Sequence, residues 1–301
     1  MRSETITLFS PAKINLTFQV LGQRDDGYHE ISSRYQAISL GDTLEVCLAD
    51  RSSLTCSGLQ ISLEQNLIIK AFNLFKAKTG WQGSVAFRLE KRIPLQSGLG
   101  GGSSNAATVL WALNALSGCC VAESDLALWS TALGSDVPFF FSSGSAYCSG
   151  RGEQVVDEKN PYLSGTFWIA KPKEGLSTAA VYASYARHSF VFQKVESEYS
   201  NDLEQAAFHI MPSLKLLKAQ LVELGFGHVV MTGSGSAFFC LPSSCLETKA
   251  LSKDALFEKT EELDGAVIRS FASLSRRLNV DVYPVHCIKR KPGCWYECEN
   301  I

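Results

Sequence analysis

The chain has 301 residues, enough for one large domain or two smaller ones. Hydrophobic residues make up 46% and charged residues 19%, the balance of a globular protein with a real core. A net charge of −2, from 28 basic and 30 acidic side chains, argues against a dedicated nucleic-acid binder, and no apolar run reaches the length of a membrane span.

"KINLTFQV" alternates, with Ile14, Leu16, Phe18 and Val20 on one face and the polar pair Lys13 and Asn15 on the other, which predicts a strand. "DTLEVCL" repeats the pattern through Leu44, Val46 and Leu48, and "SVAFRLEKRI" predicts a further strand ending just before Pro94. Between them, "QNLIIKAFNLFKAKTG" has helical spacing at Leu67, Ile68, Ala71, Phe72 and Phe75, with Gly80 as a stop. A helix over about 103–116 shows little amphipathic contrast and is expected to be buried on most sides, with Gly118 as its cap. Another follows over 123–133.

After about Gly152 the pattern restarts. "TFWIAKP" reads as a strand, and "STAAVYASYAR" and "NDLEQAAFHIMPSLKLLKAQLVELG" as helices, Pro212 beginning a new one. "HVVMTGSGSAFFCLP" reads as strand, glycine turn, strand. Helices are predicted over 245–260 and 265–277, and "VDVYPVH" as a last strand. The order of elements favours α+β over a doubly wound repeat. The first twenty residues hold no apolar stretch of signal-peptide type, and the ten cysteines form no C-x-x-C pair; a reduced, cytoplasmic protein is expected.

The most informative stretch is "SGLGGGSS". Gly98, Gly100, Gly101 and Gly102 leave bare backbone directly before a helix, and Ser103 and Ser104 follow. A helix N-terminus offers free N–H groups and a positive dipole end, and glycine lets a ligand come close, so the pattern predicts a phosphate site. A tight packing turn would need fewer glycines. The stretch is no P-loop, since Gly-x-x-x-x-Gly-Lys-Ser/Thr is missing, and Ser103 stands where a dinucleotide fingerprint needs glycine. No His-Arg-Asp or Asp-Phe-Gly of a protein kinase occurs.

Pro94 to Ser104, "PAKINL" at Pro11–Leu16 and "MTGSGSAFF" at Met231–Phe239 together resemble the three motifs of the GHMP kinases, in order, within a similarity covering about 8–240. The resemblance implies a two-domain α+β fold with the active site in the inter-domain cleft. Residues 1–156 would be the ATP-binding, catalytic domain. Residues 157–301 would be the substrate-binding domain, with an atypical extension after about 242. It also implies transfer of the ATP γ-phosphoryl group, with Mg²⁺, to an alcohol. With "DDGYHE" as part of the match, the resemblance implies a small-molecule acceptor carrying a cytidine diphosphate group. Alternatives are a relative acting on mevalonate, homoserine or a sugar, and a nucleotide-binding relative without chemistry. No nucleic acid or membrane partner is implied, and either a monomer or a homodimer fits.

Residue by residue, Asp136 matches the catalytic aspartate and Lys13 the catalytic lysine. A base that orients the hydroxyl and a cation that steadies developing charge suit phosphoryl transfer. Pro94, Gly98, Leu99, Gly100, Gly101, Gly102, Ser103 and Ser104 match the ATP loop, the serines capping the helix, touching phosphate or reaching Mg²⁺. Asn66 would join the adenine pocket or cap its own helix. Tyr28 and His29 match a cytidine-binding pair, Tyr182 a second aromatic of the same sandwich, and Asn15, Gly233 and Gly235 further substrate contacts.

Two departures from the family stand out. Relatives commonly carry more glycines where this chain has Gln96 and Ser97. The tail "HCIKRKPGCWYECENI" has no family counterpart. Its His286, Cys287, Cys294 and Cys298 lack the usual paired zinc spacing, so a solvated tail is the expectation.

Overall fold

Two long antiparallel strands, β1 (Thr5–Gln23) and β2 (His29–Leu48), carry the architecture. The computed structural model describes residues 5–57, 66–188, 199–242, 275 and 279–297. Register shifts at Pro11/Ala12, Asn15/Thr17 and Val20/Gly22 bend the pair, as extra residues in one strand do. The first half of β2 pairs with β5 (Ser145–Gly150), and its second half with β4 (Val85–Glu90). β3 (Ser53–Ser57), β6 (Gln154–Asp157) and β8 (Ser200–Asn201) complete a seven-stranded sheet. β7 (Phe167–Pro172), β9 (Phe226–Met231), β10 (Phe238–Pro242) and β11 (Val280–Val285) form a second sheet in the order β11-β7-β10-β9. Pro284 is tolerated in β11 because that strand lies at the sheet edge.

The helices are α1 (Leu67–Thr79), α2 (Gly101–Ser117), α3 (Glu123–Ser130), α4 (Thr178–Arg187), α5 (Glu204–Ile210) and α6 (Pro212–Glu223). α1 begins at Asn66, whose Oδ1 accepts the Ile68 N–H at 3.0 Å, and ends at left-handed Gly80. One core joins α1 and α2 to the first sheet through Phe72, Phe75, Phe87, Val109 and Leu113. A second packs α4, α5 and α6 on the other sheet through Trp168, Val181, Leu217 and Phe238. Between the sheets, Ala12, Ile14 and Leu16 of β1 pack with Ile169 and Phe239. That junction places the polar side of β1 beside the second sheet's hairpin. Among the described residues, no helix is long and apolar enough to cross a membrane.

Several boundaries differ from expectation. β4 stops at Glu90 because the N–H groups of Arg92 and Ile93 turn to Asp42 Oδ1, at 2.7 and 2.8 Å. α2 starts two residues early, at Gly101. α3 ends at Ser130, where Ala132 and Leu133 tighten into turns bonded to Trp129 and Ser130 carbonyls. The helices predicted over 245–260 and 265–277 lie outside the described residues, Ser275 apart.

The tail corrects the expectation most. Residues 286–297 are anchored to the first sheet instead of hanging free: Cys287 bridges Ile38, and Ile288, Trp295 and Tyr296 are buried in the first core, while Lys289, Lys291 to Cys294 and Glu297 stay exposed. Trp295 Nε1 donates to the Phe9 carbonyl at 2.9 Å, and Arg290 Nη2 reaches Glu123 Oε2 at 2.7 Å. Three apolar side chains spread through a lysine-, proline- and glycine-bearing segment carry no periodicity, so only the surface they meet reveals the burial. Burial pushes the Cys287 thiol up to about 12, while Cys294 is exposed.

Candidate active site

The glycine loop is held between β1 and the β9–β10 connection. The Lys13 N–H donates to the Leu99 carbonyl at 2.9 Å, and the Ala237 N–H to the Ser97 carbonyl at 3.1 Å. Gly98 has φ +75°, and a Cβ there would lie 2.0 Å from the Thr232 carbonyl oxygen. Gly100, at φ +70°, starts α2 in a left-handed conformation with no side-chain cap. The leading N–H groups of α2 therefore stay available at the cleft, the arrangement an anion needs. Gln96 takes φ +49°, and its carbonyl accepts the Ser236 N–H at 3.3 Å.

Lys13 is nearly buried, and its Nζ lies 3.5 Å from Asp136 Oδ2 and 2.6 Å from Asn15 Oδ1. Asp136 precedes a 3₁₀ turn at Pro138–Phe141 and opens to the cleft, its side chain about one third exposed. Tyr35 donates its hydroxyl to Asp136 Oδ1 at 2.9 Å. Burial, and then the charge of Asp136, push the Tyr35 phenol well above its ordinary range, so it is a permanent donor. Asn15 gives Nδ2 to Ser33 Oγ at 3.0 Å and its N–H to Thr232 Oγ1 at 2.9 Å.

Opposite the loop lies an aromatic wall. His29 stacks on Tyr182, centroids 5.0 Å apart and planes at 28°, and meets Tyr185 edge-on at 6.1 Å. Exposed Tyr28 has the Arg151 guanidinium 4.8 Å over its ring. The glycine loop, the Lys13–Asp136 pair and this wall line one cleft of about 890 Å³. That volume is in the range of small-molecule sites.

A family model described as the GHMP kinases N terminal domain matches residues 66–144. The chain is 48% identical, over 245 residues, to the 4-diphosphocytidyl-2-C-methyl-D-erythritol kinase of Protochlamydia amoebophila, covering 79% of this chain and 84% of the relative. The chloroplastic/chromoplastic enzyme of that name from Solanum lycopersicum is 44% identical over 253 residues, covering 77% of this chain and 63% of the longer relative. A crystal structure of 4-(cytidine 5'-diphospho)-2C-methyl-D-erythritol kinase superposes with a TM-score of 0.69 at 31% identity, over 94% of this chain and 99% of that one. The chain belongs to the GHMP kinases, on the 4-diphosphocytidyl-2-C-methyl-D-erythritol kinase branch.

In this GHMP kinase Lys13, Asp136, Pro94, Gly98, Leu99, Gly100, Gly101, Gly102, Ser103, Tyr28, His29, Tyr182 and Gly233 all line the cleft. Asn15 lies beneath it, holding Lys13 from below. Gly235, at φ +83°, shapes the third motif from behind. Asn66 spends its side-chain oxygen on the α1 cap. Ser104 is fully buried and bonds Ser10 Oγ at 2.9 Å, and its N–H donates to the Gly100 carbonyl, so it faces away from the cleft. One residue along a helix turns a side chain by about 100°, which is why Ser103 and Ser104 part company. Tyr182 faces His29; Arg151 covers Tyr28.

Sequence reasoning missed Tyr35, Arg151 and Lys91. Tyr35 is opposite Asn15 in the β1–β2 register, a relation visible only once the strands are paired. Arg151 sits between Gly150 and Gly152, a glycine-flanked charge that marks a special turn. Lys91 forms a buried ion pair with Asp42 beside Gly101. Among the described residues, no group of three His, Cys, Asp or Glu side chains gathers to hold a metal.

Proposed function

We propose that this cleft transfers the γ-phosphoryl group of ATP to the 2-hydroxyl of 4-diphosphocytidyl-2-C-methyl-D-erythritol, in non-mevalonate isoprenoid precursor synthesis. The observation that carries the reading is the Lys13–Asp136 pair, 3.5 Å apart, between the uncapped start of α2 and the aromatic wall. The N–H groups of α2 and the glycine loop bind the phosphates. Asp136 orients the acceptor hydroxyl and takes its proton as the new O–P bond forms and the bond to the ADP oxygen breaks. Lys13 sets its ammonium group beside both the carboxylate and the incoming oxygen. Tyr28, His29 and Tyr182 hold the cytosine by stacking and edge contacts.

Mg²⁺ fits the same reading. It is commonly held by one or two protein oxygens plus substrate phosphates, and the Ser103 hydroxyl lines the cleft at the start of α2. When bound, the ion would supply charge neutralisation at the phosphates. Residues 1–156 and 157–301 are read as two units, supported by their separate sheets, although β8 and the tail cross back to the first. The substrates are small, charged and water-borne, which suits a cytoplasmic enzyme, as a monomer or homodimer.

The test is to incubate the protein with ATP, Mg²⁺ and the diphosphocytidyl acceptor and follow acceptor mass, with mevalonate and homoserine in parallel. One added phosphoryl group on the cytidylyl acceptor alone is expected. Phosphorylation of another acceptor instead would overturn the role of Tyr28 and His29. ATP binding with no product from any acceptor would point to a relative without chemistry. Asp136→Asn is expected to lower turnover by about 10²–10⁴-fold with ATP binding retained.

A further inference from the structure

Asp136 has two oxygens with different surroundings. Oδ2 lies 3.5 Å from Lys13 Nζ, and Oδ1 accepts the Tyr35 hydroxyl at 2.9 Å. Tyr35 is only 1% exposed, so water does not compete for that bond. Its backbone is held from both sides in the sheet, paired with Ala146 across β2–β5 and with Asn15 across β1–β2, and its ring meets Phe139 edge-on at 5.3 Å. The Lys13 ammonium lies 4.8 Å from the ring centroid. Gly152 closes over the contact: at φ +115°, a Cβ there would stand 3.1 Å from Tyr35 Oη and 3.6 Å from Asp136 Oδ1. Backbone has been brought against this hydrogen bond at a position no side chain could occupy without strain.

We propose that Tyr35 is a positioning residue for phosphoryl transfer, holding Oδ1 so that Oδ2 of Asp136 is the oxygen presented to the acceptor hydroxyl. The terminal torsion of an aspartate is broad, and a half-open carboxylate would otherwise rotate and present either oxygen. A donor mounted on a rigid, buried ring selects one orientation. Misplacement of a reacting group by a fraction of an ångström is costly in rate. The same hydroxyl also links Asp136 to the strand that pairs with Lys13, so base and cation share one rigid support.

This inference rests on Asp136 being the base, and the test separates the two. Tyr35→Phe keeps the ring and removes only the hydroxyl. Its kcat is expected to fall about tenfold, with KM for ATP and acceptor within about twofold and thermal stability nearly kept. Asp136→Asn and the double variant complete a cycle, read as product mass after long incubation. With the base gone, loss of the hydroxyl is expected to cost nothing further. An unchanged kcat in Tyr35→Phe, or a tenfold loss repeated in full on the Asp136→Asn background, would overturn the role of Tyr35. Near-normal turnover in Asp136→Asn alone would overturn the base assignment, and the inference with it.

Discussion

Lys13 Nζ donates to Asn15 Oδ1 at 2.6 Å, and Asn15 joins that lysine to both β2 and the third motif through Ser33 and Thr232. Residues two apart on a strand face the same way, so this contact follows from the local sequence. Its consequence does not: a fully buried amide stands between the cation and the rest of the molecule. Asn15→Ala is expected to cost about 1–3 kcal/mol, because Ser33 and Lys13 lose a partner and the Thr232 hydroxyl loses its bond to Asn15 Oδ1 at 3.2 Å. Turnover should fall more than ATP affinity. Denaturant unfolding alongside steady-state kinetics checks both.

Gly98 meets the third motif at backbone distance. In Gly98→Ala the new Cβ would fall 2.0 Å from the Thr232 carbonyl oxygen, at a φ of +75° that alanine disfavours. The loop must then move away from Thr232. The expected outcome is a rise in KM for ATP of tenfold or more, on the order of 1.4 kcal/mol of binding. An ATP titration by calorimetry reads it directly.

Asp42 is fully buried and serves the loop from below. It accepts two backbone N–H groups and the Asn105 amide, and pairs with Lys91. Removing one member of a buried pair leaves an uncompensated charge, costing about 3–5 kcal/mol. Asp42→Ala should lose that much in urea unfolding. Asp42→Asn, which keeps an acceptor oxygen, should lose clearly less.

Trp295 anchors the tail. Its indole packs against Trp111 and Phe141 and bonds the Phe9 carbonyl. Trp295→Ala is expected to destabilise by about 3–5 kcal/mol, with both KM values little changed, since Trp295 is not in the cleft lining. Thermal unfolding with kinetics at a temperature below the transition distinguishes this from a defect in the site.

The sequence by itself determined what is local. The 3.6-residue spacing of Ile68, Ala71, Phe72 and Phe75, closed by Asn66 and Gly80, specified α1, because caps and periodicity act within a few residues. The glycine run before an apolar helix specified bare backbone at a helix N-terminus, while only the structure showed that no side chain caps it, and alternation put Lys13 and Asn15 on one face of β1. Tertiary structure decided everything that depends on pairing distant segments. Tyr35 and Asp136, 101 residues apart, meet only because β2 pairs with both β1 and β5. Ser103 and Ser104 look alike in sequence, and the packing of α2 on Ser10 turned one inward and left the other at the cleft. The tail has no periodicity to read. Its burial came from the matching surface of Phe9, Trp111 and Phe141, which no window of the chain contains.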